Sequence, residues 1–211
     1  HAHIGSQILD TDSFEISAER LIALLGSYRD AYGVELAELD LGGGYGIHYL
    51  PGDEELEPSV VMKALAAAVV KNCAIHKLKV PQISIEPGRA IVGPTMFTLY
   101  EVGTIKDVLL ENGDNRRYIS VDGGMSENIR PALYSAEYTA VLASRTSSAD
   151  LISSRLVGKH CETGDILIRD IDLAGDISPG DLLATPATGA YGRSMASNYN
   201  HVPRPPVVAV N

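Results

Sequence analysis

Along residues 1–95 the apolar positions switch repeatedly between a strand period and a helix period. Residues 2–4 read as a short strand. Asp12 and Ser13 stand where a helix would be capped, Glu15 falls in its first turn, and Leu21, Leu24, Leu25, Tyr28 and Tyr32 recur at helical spacing, the pattern of one buried helix face. A second strand is predicted over residues 36–41. Pro58 suits a first helical turn, and Val61, Leu65, Val69 and Cys73 follow at steps of four, so a second helix is expected there. Residues 82–86 close this stretch as a third strand. From Pro94 onward the helical period fades. Short β-branched and aliphatic runs replace it at 99–104, 117–121, 138–143, 166–168, 182–184 and 207–210, separated by Gly, Pro, Asp and Asn, which predicts an all-β domain.

The expected organisation is therefore an α/β segment over residues 1–95 and a β-rich domain over 96–211. Three strand–helix units do not close a barrel, since a complete (β/α)8 barrel takes about 250 residues. Residues 1–95 are either a small open sheet or part of a barrel, and the abrupt opening on His1-Ala2-His3-Ile4 favours part of a barrel.

Composition changes this picture little. Hydrophobic residues make up 45% and charged residues 21% of the chain, as in ordinary globular domains. The formal net charge of −10 argues against nucleic acid or an anionic membrane as partner, because both select a basic face. No run of 18 apolar residues is present, so no membrane-spanning helix is expected. The two cysteines, Cys73 and Cys161, lie far apart; they form no disulfide framework or zinc pattern, and a reducing cytoplasm is the expected compartment.

The candidate chemistry sits at the ends of the three early strands. His3-Ile4-Gly5-Ser6-Gln7, Gly42-Gly43-Gly44-Tyr45-Gly46 and Glu86-Pro87-Gly88-Arg89 each follow a strand, and parallel α/β folds bind ligands at the carboxyl ends of their strands. The triple glycine suits close approach of backbone N–H groups to an anion, or equally a tight turn needing positive φ. It is a poor dinucleotide fingerprint, because Ile47 occupies the place of the third glycine. His1 and His3 share a strand face, but no third zinc ligand is evident, and a ring-stacking or core histidine is favoured for His1. Glu86, at a buried strand end, needs a partner: Arg89 would be a structural one, a pyridinium nitrogen a functional one.

In the second half, Cys161 lies in Gly158-Lys159-His160-Cys161-Glu162-Thr163-Gly164-Asp165, unlike a packed core thiol, whereas Cys73 on its helical stripe reads as core. Arg130 and Tyr134 are four apart around Pro131. If Pro131 opens a helical turn, both can face one pocket, with Arg130 suited to hold a carboxylate; the alternative is a solvated surface turn. Tyr191, in Thr188-Gly189-Ala190-Tyr191-Gly192, is equally open.

Taken together, HIGSQ (3–7), DLGGGYGI (40–47), EPGRAIVG (86–93), VDGGMSENIRPALY (121–134), GKHCETGDIL (158–167) and ATGAYG (187–192) resemble, in order and over nearly the whole chain, the fold-type III pyridoxal-phosphate (PLP) decarboxylases. The GGMSENIRPALY and CETGD segments are similar to the diaminopimelate branch rather than the ornithine or arginine branches. The resemblance implies part of a PLP-binding TIM-like (β/α)8 barrel followed by a carboxy-terminal β-domain, working as a homodimer with shared active sites. It implies pyridoxal 5'-phosphate as cofactor, an amino-acid substrate, and decarboxylation of meso-2,6-diaminopimelate to L-lysine and CO2. By the same resemblance His3 stacks on the cofactor ring, Ser6 and the loop with Gly42, Gly43 and Gly44 serve the phosphate, and Glu86 pairs with the pyridine nitrogen. Pro87, Gly88 and Arg89 contact cofactor and substrate. Arg130 and Tyr134 hold substrate carboxylate, Cys161 donates the proton, Glu162 binds the distal end of the substrate, and Tyr191 touches both cofactor and substrate. No metal is implied. The family's Schiff-base lysine lies on an early barrel strand that has no counterpart here; none of Lys63, Lys71, Lys77, Lys79, Lys106 and Lys159 falls in that motif, so the chain alone is expected to be inactive. A non-catalytic relative that has lost the lysine, and a racemase, are the alternatives from other classes.

Overall fold

In the computed structural model, which describes residues 1–54 and 56–210, the chain divides into two compact units, one of His1–His48 with Asp53–Val92 and one of Tyr49–Gly52 with Gly93–Asn211. The first unit is built from helix α1 (Asp12–Tyr32), strand β1 (Glu38–Asp40), helix α2 (Pro58–His76), strand β2 (Gln82–Ser84) and the short helix α3 (Gly88–Val92). Strands β1 and β2 pair in parallel with Leu39 opposite Ile83, the arrangement that an intervening helix requires.

Helix α2 forms as its sequence predicts. Pro58 occupies the first turn, where its missing N–H is no loss, and Lys77 ends the helix in the left-handed conformation. Val61, Leu65, Val69 and Cys73 are all buried. By length and composition α2 is apolar enough to cross a membrane, yet this stripe packs into the unit's core. Helix α1 corrects two expectations. Its first turn is tied by Asp10, whose Oδ1 accepts the Ser13 N–H at 3.0 Å, rather than by Asp12 or Ser13. Its buried face is Phe14, Ser17, Ala18, Ile22 and Gly26; Leu24 is 63% and Tyr32 70% exposed, while Leu21 and Leu25 pack at the core's margin. Small residues decide the face: an added Cβ at Gly26 would lie 3.3 Å from the His76 ring, so the two helices meet there closely. Arg29 completes the junction by donating to the His76 and Lys77 carbonyls at 2.8 Å.

Residues 2–4 do not form a strand. Ala2 N–H reaches the Asp40 carbonyl at 3.3 Å, but Gly5 and Gln7 take positive φ and turn the chain away before a ladder develops. The segment rejoins the unit through an isolated parallel bridge between Ile8 and Tyr45, and Tyr45 stacks on Phe14 with ring centroids 4.6 Å apart.

The second unit holds a six-stranded mixed sheet, β3 (Thr98–Leu109), β4 (Asn115–Val121), β5 (Val141–Leu142), β6 (Leu151–Val157), β7 (Ile166–Ala174) and β8 (Leu182–Thr185), in the order β5-β8-β3-β4-β6-β7. Strand β3 serves two partners along its length: residues up to Glu101 pair with β8, and those from Val102 onward pair with β4. An irregularity between Val102 and Ile105 makes this change possible, and Ser120 Oγ closes it by accepting from Thr104 N–H at 2.8 Å and donating to Thr104 O at 3.1 Å. Tyr100, Val102, Ile119, Leu156 and Leu183 form the buried side, each large side chain contributing roughly 1.5–3 kcal/mol. The sequence pattern does not announce β6, which carries Ser153, Ser154 and Arg155 at its centre; it is held between parallel β4 and antiparallel β7. Residues 207–210 form no strand. Two short helices, α4 (Arg130–Tyr134) and α5 (Gly192–Met195), carry candidate residues.

Candidate functional site

In the first unit the three predicted clusters do converge at the ends of β1 and β2. The glycines explain how. Gly42 has φ 70°, and an added Cβ would sit 2.3 Å from the Ala2 carbonyl oxygen; at Gly44, φ 97°, it would sit 2.1 Å from Gly5 O; at Gly43, 2.2 Å from Glu86 O. The triple glycine is thus where the segments containing His3 and Glu86 press backbone to backbone against the turn, a closeness no side chain permits. Hydrogen bonds stitch the contact: Glu86 N–H to Gly42 O at 2.8 Å, Ile8 N–H to Gly44 O at 2.9 Å, Gly42 N–H to Asp40 Oδ1 at 2.8 Å, and a longer one from Gly43 N–H to His3 Nδ1 at 3.4 Å.

Arg89 is buried at the start of α3 and its Nη2 donates to Ser6 Oγ at 2.6 Å. Ser6 therefore accepts from the guanidinium and keeps its own O–H to donate. Glu86 is not the partner of Arg89. Its Oε2 lies 3.0 Å from His1 Nε2, both side chains half-exposed, so His1 is not the core or ring-stacking histidine that the sequence favours but the hydrogen-bond partner of a carboxylate. Asp40 joins this pair, the three ligand-type atoms lying within 4.8 Å of one another, although sequence spacing offered His1 and His3 no third ligand. His3 is exposed beside the turn, Pro87 is half-buried and Gly88 exposed.

In the second unit, Pro131 does open a helical turn, but Arg130 and Tyr134 do not share a pocket. Arg130 is buried at the first position of α4, its Nη1 donating to Tyr49 Oη at 3.2 Å and to Tyr138 Oη, with its guanidinium 5.1 and 5.5 Å from those two ring centroids. Tyr49 and Tyr138 meet edge to face. Tyr134, at the far end of the five-residue helix, is 62% exposed. The pull of two tyrosines on a buried cation explains the difference.

Cys161 and Glu162 are exposed on the loop between β6 and β7, and Cys161 is a free thiol. The loop's foundation is Asp165, 3% exposed, which no sequence signal singled out. Its Oδ2 accepts the His160 N–H at 2.7 Å and its Oδ1 the Met125 N–H at 2.6 Å. Gly124 and Gly158 make room for it: an added Cβ on either would lie under 3 Å from its carboxylate. His160, buried, places Nε2 2.9 Å from Ser126 Oγ, and Ser126 donates to Glu127 Oε2 at 3.0 Å. Burial raises the Glu127 carboxyl above the usual range; burial, then the Glu127 charge, raises Tyr100. Tyr199, from the short 3-10 turn Tyr199–His201, donates to Glu162 Oε1 and sets its ring edge-on to His160 at 5.3 Å. Tyr191 is exposed, with φ 65°, at the start of α5, a conformation costing about 1–3 kcal/mol for a non-glycine residue.

Comparison with known proteins adds the following. Residues 1–93 match the pyridoxal binding domain of the pyridoxal-dependent decarboxylases, and residues 52–189 match the C-terminal sheet domain of the same group. The chain is 52% identical over 210 residues to diaminopimelate decarboxylase of Corynebacterium efficiens, an alignment covering 100% of this chain and 46% of that protein. It is 48% identical to diaminopimelate decarboxylase of Bacillus subtilis, covering 100% of this chain and 47% of that one. The crystal structure of diaminopimelate decarboxylase from M. jannaschii in complex with L-lysine superposes with a TM-score of 0.87 at 30% identity, covering 96% of this chain and 44% of that one. The chain thus spans about half the length of the curated relatives it matches.

Proposed function

The chain belongs to the pyridoxal-dependent decarboxylases, and from that premise we propose that the polypeptide carrying it converts meso-2,6-diaminopimelate to L-lysine and CO2, the last step of lysine biosynthesis. The cofactor of the group is pyridoxal 5'-phosphate, and the residues at the ends of β1 and β2 fit it. Ser6 and Arg89 are two donors 2.6 Å apart, suited to a phosphate, and Glu86 presents a carboxylate next to a glycine turn that only glycine can form, suited to a ring N–H. That combination of donors, carboxylate and side-chain-free turn is the observation that carries the reading.

Bound there, the cofactor would supply the electron sink that takes up the bonding pair as CO2 leaves. The chain's residues supply the rest. Ser6 and Arg89 would hold the phosphate by charge-assisted hydrogen bonds. Glu86 would accept from the ring nitrogen and so favour its protonated form, which would strengthen the sink. His3, exposed beside the glycine turn, would stack on the cofactor ring, and Pro87 and Gly88 lead to Arg89 at the start of α3. Cys161 returns a proton to the carbon that lost CO2. Glu162 faces the distal ammonium of the substrate. A guanidinium carries five N–H donors, more than the hydroxyls of Tyr49 and Tyr138 beside Arg130 take, so Arg130 retains donors for a substrate carboxylate, and the exposed Tyr134 and Tyr191 offer hydroxyls to substrate and cofactor. The working unit is a homodimer with shared active sites, acting on a small amino acid. The net charge of −10 supports neither nucleic acid nor an anionic membrane as partner, and two free thiols fit a reducing cytoplasm.

The test is CO2 release by the full-length polypeptide with added pyridoxal phosphate, on meso-diaminopimelate, ornithine and arginine. Lysine formation with strong preference for diaminopimelate is expected. Preference for ornithine or arginine moves the enzyme to the polyamine branch, and no turnover of any of them replaces the reading with a non-catalytic one.

A further inference from the structure

Resting on the assignment of Glu162 to the distal end of the substrate, we propose that Tyr199 is a specificity-determining positioning residue: its hydroxyl fixes the Glu162 carboxylate in the rotamer that reads the distal ammonium.

The loop carrying Glu162 has little backbone freedom. Gly158 N–H bonds to Asp165 O at 2.9 Å, Lys159 N–H to Gly123 O at 2.9 Å, and Asp165 N–H to Glu162 O at 3.1 Å. The Asp165 carboxylate clamps the His160 and Met125 amides. What remains free is the Glu162 side chain itself, which is exposed and has several rotatable bonds, each a loss of entropy on ordering. Tyr199 Oη donates to Glu162 Oε1 and so selects one arrangement.

Tyr199 is itself held. His160 is buried, tied to Ser126 Oγ at 2.9 Å, and its ring meets the Tyr199 ring edge-on at 5.3 Å. Ser197 Oγ accepts the Tyr199 N–H at 3.3 Å, and Ser197 N–H bonds to Ser126 O at 2.8 Å. Ser126 thus anchors both supports of the tyrosine. The hydrogen bond to Glu162 also holds the phenolic proton on, raising Tyr199 above the ordinary tyrosine range, so the hydroxyl is a donor throughout the neutral range. One oxygen of Glu162 is committed to Tyr199, and Oε2 is left to meet the ammonium. An acceptor fixed in this way discriminates by leaving a mismatched substrate's partner unpaired.

The experiment uses the full-length enzyme loaded with pyridoxal phosphate and compares meso-diaminopimelate with 2-aminopimelate, which keeps the distal carboxylate but lacks the distal ammonium. Tyr199→Phe should raise KM for diaminopimelate about threefold to tenfold, the range of one solvent-exposed hydrogen bond, with kcat within about twofold and little change for 2-aminopimelate, so selectivity falls by the same factor. In an Glu162→Gln background Tyr199→Phe should have no further effect on that ratio. Equal losses on both substrates, or an undiminished effect in the Glu162→Gln background, would show a structural role and overturn the proposal. Unchanged selectivity in Tyr199→Phe, when the wild type does decarboxylate diaminopimelate, overturns it as well, whereas a wild type that ignores diaminopimelate overturns the underlying assignment of Glu162. Should Tyr199→Phe fold poorly, Tyr199→His, which keeps a ring N–H donor, must restore part of the selectivity.

Discussion

The Asp165 side chain receives the His160 amide at 2.7 Å, one residue before the exposed Cys161, so a buried acceptor sets the start of the loop that carries both the thiol and Glu162. Its other oxygen takes the Met125 amide, and through these two bonds the Gly123–Gly124 turn and the Gly158 turn share one acceptor.

Replacing Asp165 by Ala should therefore destabilise the protein by about 2–4 kcal/mol, because two buried N–H groups lose their acceptor together. Asp165→Asn, which keeps one carbonyl oxygen, should cost about half as much. Urea unfolding monitored by tyrosine fluorescence would measure both; equal stability of Asp165→Ala and wild type would remove the clamp.

Gly43→Ala should weaken cofactor binding. The new methyl would meet the Glu86 carbonyl oxygen at 2.2 Å and push Glu86 away from the turn. Gly33→Ala is the matched control: φ is 71° but nothing lies within 4 Å, so only backbone strain of about 1 kcal/mol is incurred. Titration with pyridoxal phosphate should show at least tenfold weaker binding for the first, by roughly 1.4 kcal/mol or more, and wild-type binding for the second.

Two kinds of carboxyl group give opposite pH signatures. Hydrogen bonds from Arg145 hold Asp181 well below the ordinary carboxyl range, and Asp176 is lowered by the same arginine. A lowered folded pKa means stabilisation that is complete above the unfolded value of about 4 and is lost as pH falls through the folded one. Burial raises Glu127, so its contribution is complete below the unfolded value and withdrawn as pH rises through the folded one. Thermal midpoints measured across the pH range should show a shallower acid loss in Arg145→Met, and a flatter profile on the rising side in Glu127→Gln.

Arg130→Met should destabilise the second unit by about 1–3 kcal/mol, since two tyrosine hydroxyls lose a charged donor. Arg130→Lys should recover only part of this, because an ammonium does not reproduce the planar contact with the Tyr49 and Tyr138 rings. If Arg130 also holds a substrate carboxylate, KM rises in both variants while Tyr138→Phe, which keeps the cation, shows the smaller increase.

Much of the fold was legible in residue order. The steps of four from Val61 to Cys73, the proline at the first turn of α2, the two parallel strands and most strands of the second unit follow from local period and turn chemistry. Helix α1 departs from its apolar spacing because its buried face is defined by Ala18 and Gly26 as much as by large residues, and apolar spacing weights only the large ones. Strand β6 escaped notice because Ser154, fully enclosed between β4 and β7, satisfies its hydroxyl on the Ile152 carbonyl, so a polar residue stands where the period asks for an apolar one.

The sequence by itself determined the convergence of the Gly42–Gly44 and Glu86 segments, since the carboxyl ends of two parallel strands lie on one side; the His3 segment joins them through backbone contacts with the glycine turn rather than as a third strand, and the structure resolves Pro131 into the helical turn that the sequence left open. Tertiary structure alone decided the partners: His1 rather than Arg89 for Glu86, Ser6 for Arg89, Tyr49 and Tyr138 for Arg130, Tyr199 for Glu162. Those contacts join residues 85, 83, 81, 8 and 37 positions apart. A periodic pattern records which face of an element is buried, but the choice of a buried or charged group's partner is made by the distances that packing leaves between elements, and no local pattern carries those distances.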